Sequence, residues 1–299
     1  MANSIRVTGM NESEHSAPLA WVTGANGLIG SYLLAIAPRY APGWRVRGIT
    51  RADFDLLDAA AVERKFRRDR PQLVIHCAAI TVVADAHKNP DLARRVNVDV
   101  TAQLAQLAAE IPFAFFSTDL VFDGRRGNYT ETDAVNPLTV YGETKAAAEQ
   151  VVLHNPRHLV VRTSINAGVT ASGNRSFNEQ LHRTLLLAGP GMKLFTDEFR
   201  CPIPAVETAR AVWELASKGG AGIYHVAGAK KLSRYEIGRL LAARWPEVTT
   251  TLETGSAKDF PGPPRSLDTS MAIAKVQGVL STPLPGFDAW LAANPTERV

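Results

Sequence analysis

Along the first half of the chain, short unbroken apolar runs alternate with longer stretches in which apolar residues recur every three or four positions. The runs "LAWVTG" (19–24), "WRVRGIT" (44–50), "QLVIHCAA" (72–79), "FAFFST" (113–118) and "HLVVRTS" (158–164) are expected strands. Between them, "GLIGSYLLAIAP" (27–38), "DAAAVERKFRRD" (58–69), "DLARRVNVDVTAQLAQLAAE" (91–110) and "NPLTVYGETKAAAEQVV" (136–152) read as helices. The first should end at Pro38, which has no N–H to give a helix interior. The second should start from Asp58, whose carboxylate can accept from exposed first-turn amides. Strands that are apolar on both faces must be covered on both. The alternation therefore predicts an α/β fold with a doubly wound parallel sheet, ligands lying outside the carboxyl ends of its strands.

Beyond about residue 168 the pattern loosens. Helical stretches at 175–188, 205–217 and 233–244 alternate with short strands such as "GIYHVAG" (222–228), and "AGPG" (188–191) and "DFPGPP" (259–264) interrupt them. The expected organisation is a flexible N-terminal tail (1–17), a Rossmann domain (18–168) and a smaller, mainly substrate-binding lobe (169–299) with some segments returning to the sheet.

Composition narrows the class. With 45% hydrophobic and 21% charged residues, 299 residues can bury a sizeable core. No apolar run reaches the ~18–20 residues that span a bilayer, so no membrane association is expected. The polar opening "MANSIRVTGMNESEHSAP" lacks the apolar centre of a signal peptide. Two cysteines cannot build a disulfide framework, and Cys77 within "LVIHCAA" reads as a small buried hydrophobe in a reducing compartment, the cytoplasm. Net charge is +4, but the densest basic run, "ERKFRRDR" (63–70), is broken by acids and lacks the series of aromatics a stacking platform requires; no nucleic-acid partner is expected. The histidines show no ligand spacing, His76 reads as a packed core residue, and no metal site is expected.

Directly after the first strand, "TGANGLIG" places Gly24, Gly27 and Gly30 in a G-x-x-G-x-x-G frame, with Asn26, Leu28 and Ile29 completing the turn. Opening a helix straight from a buried strand makes this frame a dinucleotide-binding signal: Gly24 allows the tight turn, Gly27 the approach of a pyrophosphate and Gly30 close helix–strand packing. The helix N-terminus offers amides and partial positive charge to the anion. Arg51 follows the second strand where a carboxylate would bind ribose hydroxyls, and an arginine there suits a 2′-phosphate, favouring NADP(H) with NAD(H) as the alternative. Asp55 and Leu56 either line the adenine pocket or form a turn. The fourth strand delivers Ser117, Thr118 and Asp119 to the ligand edge. On the next helix Tyr141 and Lys145, four residues apart, share one face.

The segments "TGANGLIG", "HCAAIT", "NVDVTAQLA", "FFSTDLVFDG", "NPLTVYGETKAAAE", "VVRTS", "DEFRCPI", "GIYHVAG" and "SLDTS" occur in the order seen in the extended short-chain dehydrogenases/reductases, and most resemble the dTDP-4-dehydrorhamnose reductase branch of that family from about residue 20 to 271. The resemblance implies Thr118, Tyr141 and Lys145 as a catalytic triad, with Ala78, Ala79 and Thr81 bordering the cofactor. It implies NADPH-dependent reduction of a keto group on a nucleotide-diphosphate sugar, Asp119, Asn166 and Arg265 facing the substrate and Arg265 meeting the diphosphate. A charged Lys145 should lower the Tyr141 pKa and bond the nicotinamide ribose. The chain departs from the pattern at Leu120, at "INAGVT" (165–170), at "TVVADAHKNP" (81–90) and at Arg200, positions near the expected sugar pocket. A related keto sugar is therefore expected to be preferred over dTDP-4-dehydrorhamnose. A sugar-nucleotide epimerase, or a non-catalytic NADP-binding subunit similar to that of methionine adenosyltransferase, is the alternative, and a homodimer is the candidate assembly.

Overall fold

The computed structural model describes residues 17–174, 176–187, 192–259 and 265–299. The expected tail apart from Ala17, the "AGPG" segment and all of "DFPGPP" but Asp259 lie outside the described residues. Six strands build one sheet: β1 (Leu19–Thr23), β2 (Arg45–Ile49), β3 (Leu73–His76), β4 (Phe113–Thr118), β5 (Leu159–Thr163) and β6 (Gly222–Val226). Their order is β6-β5-β4-β3-β1-β2, and every pair is parallel. The chain turns from β1 to β2 on one side and to β3 on the other, so a topological switch point lies at the carboxyl end of β1.

Alternate residues of each strand feed two separate cores, the reason the strands read as unbroken apolar runs. Ala20, Val22, Ile75, Phe116 and Val161 face helices α1 (Leu28–Tyr40) and, from the second half of the chain, Ala205–Ser217. Trp21, Val74, Phe113, Phe115 and Val160 face α2 (Ala59–Asp69), α3 (Val100–Leu107) and α4 (Val140–Leu153). Each fully buried aliphatic or aromatic side chain here contributes about 1.5–3 kcal/mol relative to exposure. A third core joins Leu181 and Leu185 of Phe177–Leu187, Ile237 and Leu241 of Arg234–Ala242, and Phe287 and Trp290 near the C-terminus. Among the described residues no helix is long and apolar enough to cross a membrane.

Asp58 caps α2 as expected, its carboxylate accepting from Ala61 N–H at 2.9 Å. Two details differ from the sequence reading. Helix α1 runs through Pro38 to Tyr40, because in the last turn the proline forfeits one bond while Ala41 N–H still reaches Ala37 O at 2.8 Å. The single helix expected over 91–110 is Pro90–Arg94 followed by a π turn, Arg95–Asp99, and then α3. From the second half of the chain, the "GIYHVAG" segment returns to the main sheet as its edge strand β6.

Candidate active site

The turn after β1 is shaped by what it must pack against. Gly24 adopts φ +67°, and a Cβ there would stand 2.7 Å from Ala78 N. A Cβ on Gly30 would come within 2.4 Å of Gly24 O, so only glycine lets α1 start this close to β1. Gly27 is the N-cap and has no side-chain cap, which leaves the first-turn amides of Leu28, Ile29 and Gly30 to an external acceptor. Asn26 is exposed on the turn, and Ala78 and Ala79 lie half-buried at the end of β3. This cradle, open at an uncapped helix start on the switch point, fits a dinucleotide pyrophosphate. Thr81 is exposed one loop further out.

At the end of β2, Arg51 is exposed. The neighbouring Asp53 carboxylate accepts from Thr50 N–H and Thr50 Oγ, both at 2.9 Å, and lies 3.7 Å from Arg47. That acid is thus committed to its own turn. Asp55 accepts from Leu57 N–H at 3.0 Å, and Leu56 packs on the Trp21 core, so both serve the turn before α2.

Thr118 ends β4, and Tyr141 and Lys145 stand on α4, whose start is capped by Thr139 accepting from Gly142 N–H at 3.1 Å. Gly142 is needed there, since a Cβ would meet Leu120 O at 2.3 Å. All three candidate side chains are buried, and the Thr118 hydroxyl lies close enough to the Tyr141 phenol to favour its charged form. Thr118 Oγ also accepts from Leu120 N–H at 3.2 Å and donates to Asp119 Oδ1 at 3.2 Å. The Lys145 ammonium rests 4.0 Å from the centre of the Phe115 ring.

The expected lowering of the Tyr141 pKa by Lys145 is corrected by this geometry. Burial pushes the phenol up, the nearby Thr118 hydroxyl opposes it only in part, and the Asp119 charge adds to the rise. Burial also pushes Lys145 down to about 7, against the pull of Glu149. Desolvation outweighs the neighbouring charges, so Tyr141 holds its proton and Lys145 titrates near neutrality.

Beneath the pair, Glu149 of α4 and Arg162 of β5 form a bidentate ion pair, Nε–Oε1 2.9 Å and Nη2–Oε2 2.7 Å, with side chains 0% and 3% exposed. Asn97, on the π turn, was assigned no role in the sequence reading. Its amide accepts from Ile80 N–H at 2.8 Å and donates to Ile80 O at 3.1 Å and to Thr144 Oγ1 at 3.0 Å, tying the loop after β3 to α4. The sequence signals were its place at the head of the segment "NVDVTAQLA" and its being a polar residue on a largely apolar helical face.

Three expected substrate residues have partners within the protein. Asn166 donates to Thr163 Oγ1 (2.9 Å) and Ser164 O (3.0 Å) and accepts from Thr208 Oγ1 (2.6 Å), so its amide holds β5 to the Ala205–Ser217 helix. Asp119 is buried, accepting from Ser164 Oγ (2.8 Å) and Thr269 Oγ1 (3.0 Å) with Arg200 at 3.6 Å. Arg265 donates Nε–H to Glu198 Oε2 at 2.7 Å, while Arg200 and Arg234 reach Glu198 Oε1 at 3.0 and 2.9 Å. Burial alone would push the Glu198 carboxyl up, but Arg234, Arg200 and Arg265 pull it down to about 2. One fully buried carboxylate thus gathers three guanidiniums, leaving the cluster net positive.

Three comparisons with known proteins agree with this geometry. The family described as the RmlD substrate binding domain matches residues 20–295. The probable low-salt glycan biosynthesis reductase Agl14 of Haloferax volcanii is 32% identical over 291 residues, covering 92% of this chain and 96% of the relative. A dTDP-4-dehydrorhamnose reductase of Mycobacterium tuberculosis is 34% identical over 257 residues, 82% of each protein. The crystal structure of dTDP-4-dehydrorhamnose reductase from Bacillus anthracis in complex with NADP superposes with a TM-score of 0.84 at 22% identity, covering 93% of this chain and 98% of that one, a likeness of fold. With almost its whole length matched and relatives above 30% identity across four-fifths or more of the chain, the protein belongs to the RmlD substrate-binding domain family.

Proposed function

We propose that the protein is an NADPH-dependent reductase of a keto group on a nucleotide-diphosphate sugar, acting in the cytoplasm. The observation that carries the reading is the burial of Thr118, Tyr141 and Lys145 together at the carboxyl edge of the sheet, beside the uncapped glycine turn. Bound NADPH supplies the hydride. Tyr141, kept protonated by burial, gives its proton to the developing alkoxide, and Thr118, at the end of β4 beside it, borders the same carbonyl oxygen. Lys145 supplies positive charge next to both and a donor for the ribose. The amides of Leu28–Gly30 receive the pyrophosphate, Ala78, Ala79 and Thr81 border the dinucleotide, and Arg51, beside an acid already tied down, receives the 2′-phosphate.

The net-positive Arg200–Arg234–Arg265 cluster supports a diphosphate at the other end of the cleft, with Arg265 as the primary partner. The names of the curated relatives support the sugar-nucleotide class. Free Cys77 and Cys201 suit a reducing compartment. The test is NADPH oxidation against a panel of keto sugars linked to nucleoside diphosphates. Turnover of at least one, lowered on the order of 10²-fold or more by Tyr141→Phe with cofactor binding kept, is the expected result. Full activity in Tyr141→Phe would refute Tyr141 as the proton donor, and no turnover across the panel would favour the non-catalytic reading.

A further inference from the structure

A buried polar chain runs beneath the site and its centre is His76. This side chain is 0% exposed in β3, with its ring stacked on Phe115 at 6.1 Å. Its Nδ1 lies 2.7 Å from Thr23 Oγ1, at the end of β1, and its Nε2 lies 3.1 Å from Thr101 Oγ1 on α3. Counting protons gives each bond a direction. The Thr101 hydroxyl donates to Asn97 O at 2.8 Å, so toward His76 it accepts, and Nε2 carries the hydrogen. Nδ1 is then bare and accepts from the Thr23 hydroxyl, whose oxygen in turn accepts from Ala78 N–H at 3.4 Å. A neutral imidazole in one tautomer satisfies every partner. An imidazolium would set Nδ1–H against Thr23, which would then have to give up its own donation.

The two ends of the chain differ. Through Thr23 it reaches Ala78, the residue against which the Gly24 turn is packed. Through Thr101 and Asn97 it reaches Ile80 and Thr144, whose hydroxyl donates to Tyr141 O at 2.9 Å. We infer that His76 is a positioning residue for the reductase reaction, its Nδ1 side registering the cofactor-bordering loop at Ala78 and its Nε2 side registering the helix that carries Tyr141 together with the same loop at Ile80. The inference rests on the reductase reading above. Burial, and then the Lys145 charge, hold the imidazole at about 3, so its role does not change across the working pH range.

The two functions separate by side-chain length. In His76→Asn the amide oxygen stands where Nδ1 was and keeps the Thr23 bond while the Thr101 bond is lost. In His76→Gln the terminal amide stands where Nε2 was and keeps Thr101 while Thr23 loses its acceptor. NADPH dissociation constants by fluorescence titration and kcat with the best keto sugar are measured for both variants. The Asn variant is expected to lose about tenfold in kcat with a smaller change in NADPH affinity, and the Gln variant about tenfold in affinity with a smaller change in kcat, the ordinary scale for one buried hydrogen bond. Equal losses in both readouts for both variants, or no loss in either, overturn the inference. On the unmodified protein, ¹⁵N-histidine spectra assigned by the signal missing from either variant should show a neutral Nε2–H ring from pH 5 to 9, and a Nδ1–H or charged ring overturns it without any activity measurement. If no keto sugar is reduced, the reductase reading fails while the titration and the spectra still decide the role of His76.

Discussion

Replacing Glu149 by Gln should cost about 3–5 kcal/mol, because it leaves the Arg162 guanidinium charged and unpaired in the interior. Both side chains are essentially inaccessible, and the pair is joined by two charge-assisted bonds of 2.9 and 2.7 Å. Gln keeps one acceptor but turns an amide N–H against a guanidinium N–H. The remaining surroundings of Arg162 compensate little: the Phe122 ring at 5.1 Å and His225 Nε2 at 3.5 Å from Nη1. For a protein of this size about 2–4 °C accompanies each kcal/mol, so the melting temperature should fall by roughly 6–20 °C. Removing both charges, in Glu149→Gln with Arg162→Met, should cost clearly less than the sum of the singles, a coupling of about 2 kcal/mol or more. Thermal melts of the two singles and the double, at pH 7 and equal salt, complete the cycle. Additive losses, or a Glu149→Gln protein melting within about 2 °C of the parent, would refute the claim that this pair anchors α4 to the sheet.

The same helix supplies a pH test. Lys145 titrates at about 7, so kcat/KM of the free enzyme should fall as pH rises past 7, and a flat profile to pH 9 would remove the need for its charge. Its folded pKa lies below the unfolded ~10.4, so the unfolded chain binds the extra proton between the two values and this group's contribution to stability rises with pH through that window. Lys145→Met should therefore melt higher than the parent at pH 7, lose that advantage above about pH 10, and be inactive. Arg51→Ala should weaken NADP(H) binding about tenfold or more and leave NAD(H) binding nearly unchanged; equal effects on both cofactors would exclude a 2′-phosphate contact. Arg265→Ala should raise KM for the nucleotide sugar without altering NADPH binding, and an unchanged KM would move the diphosphate elsewhere.

The parts of the fold set by local chemistry were readable in the sequence. The first five strands lie within three residues of their expected limits, because side chains buried on both faces leave no polar interruption to misplace them. Asp58 and the glycine turn follow from the needs of helix starts, which act over three or four residues. Long-range geometry was less legible. One extra residue in a helical turn carries Asn97 to Ile80 and Thr144, and nothing in the periodicity over 91–110 distinguishes that from an unbroken helix. The balance at Tyr141 and Lys145 depends on burial, which spacing along a helix does not reveal. Arg265 stood out in the sequence by its residue type alone, and its gathering with Arg200 and Arg234 on Glu198 joins segments 30 or more residues apart.

The helix Ala205–Ser217 has a bearing on how the molecule comes into being. It covers the same face of the sheet as α1, and its Trp213 donates its indole N–H to Leu33 O at 2.9 Å across 180 residues of chain. During synthesis, the first five strands and their connecting helices leave the ribosome before the residues that shield one side of them. Until about residue 217 has emerged, Leu33, Ala37 and Val161 remain open to water and to any apolar surface nearby. A nascent chain halted near residue 168 is therefore a half-covered sheet, a natural client for a holding chaperone, and final collapse waits on translation of the far side of the sequence.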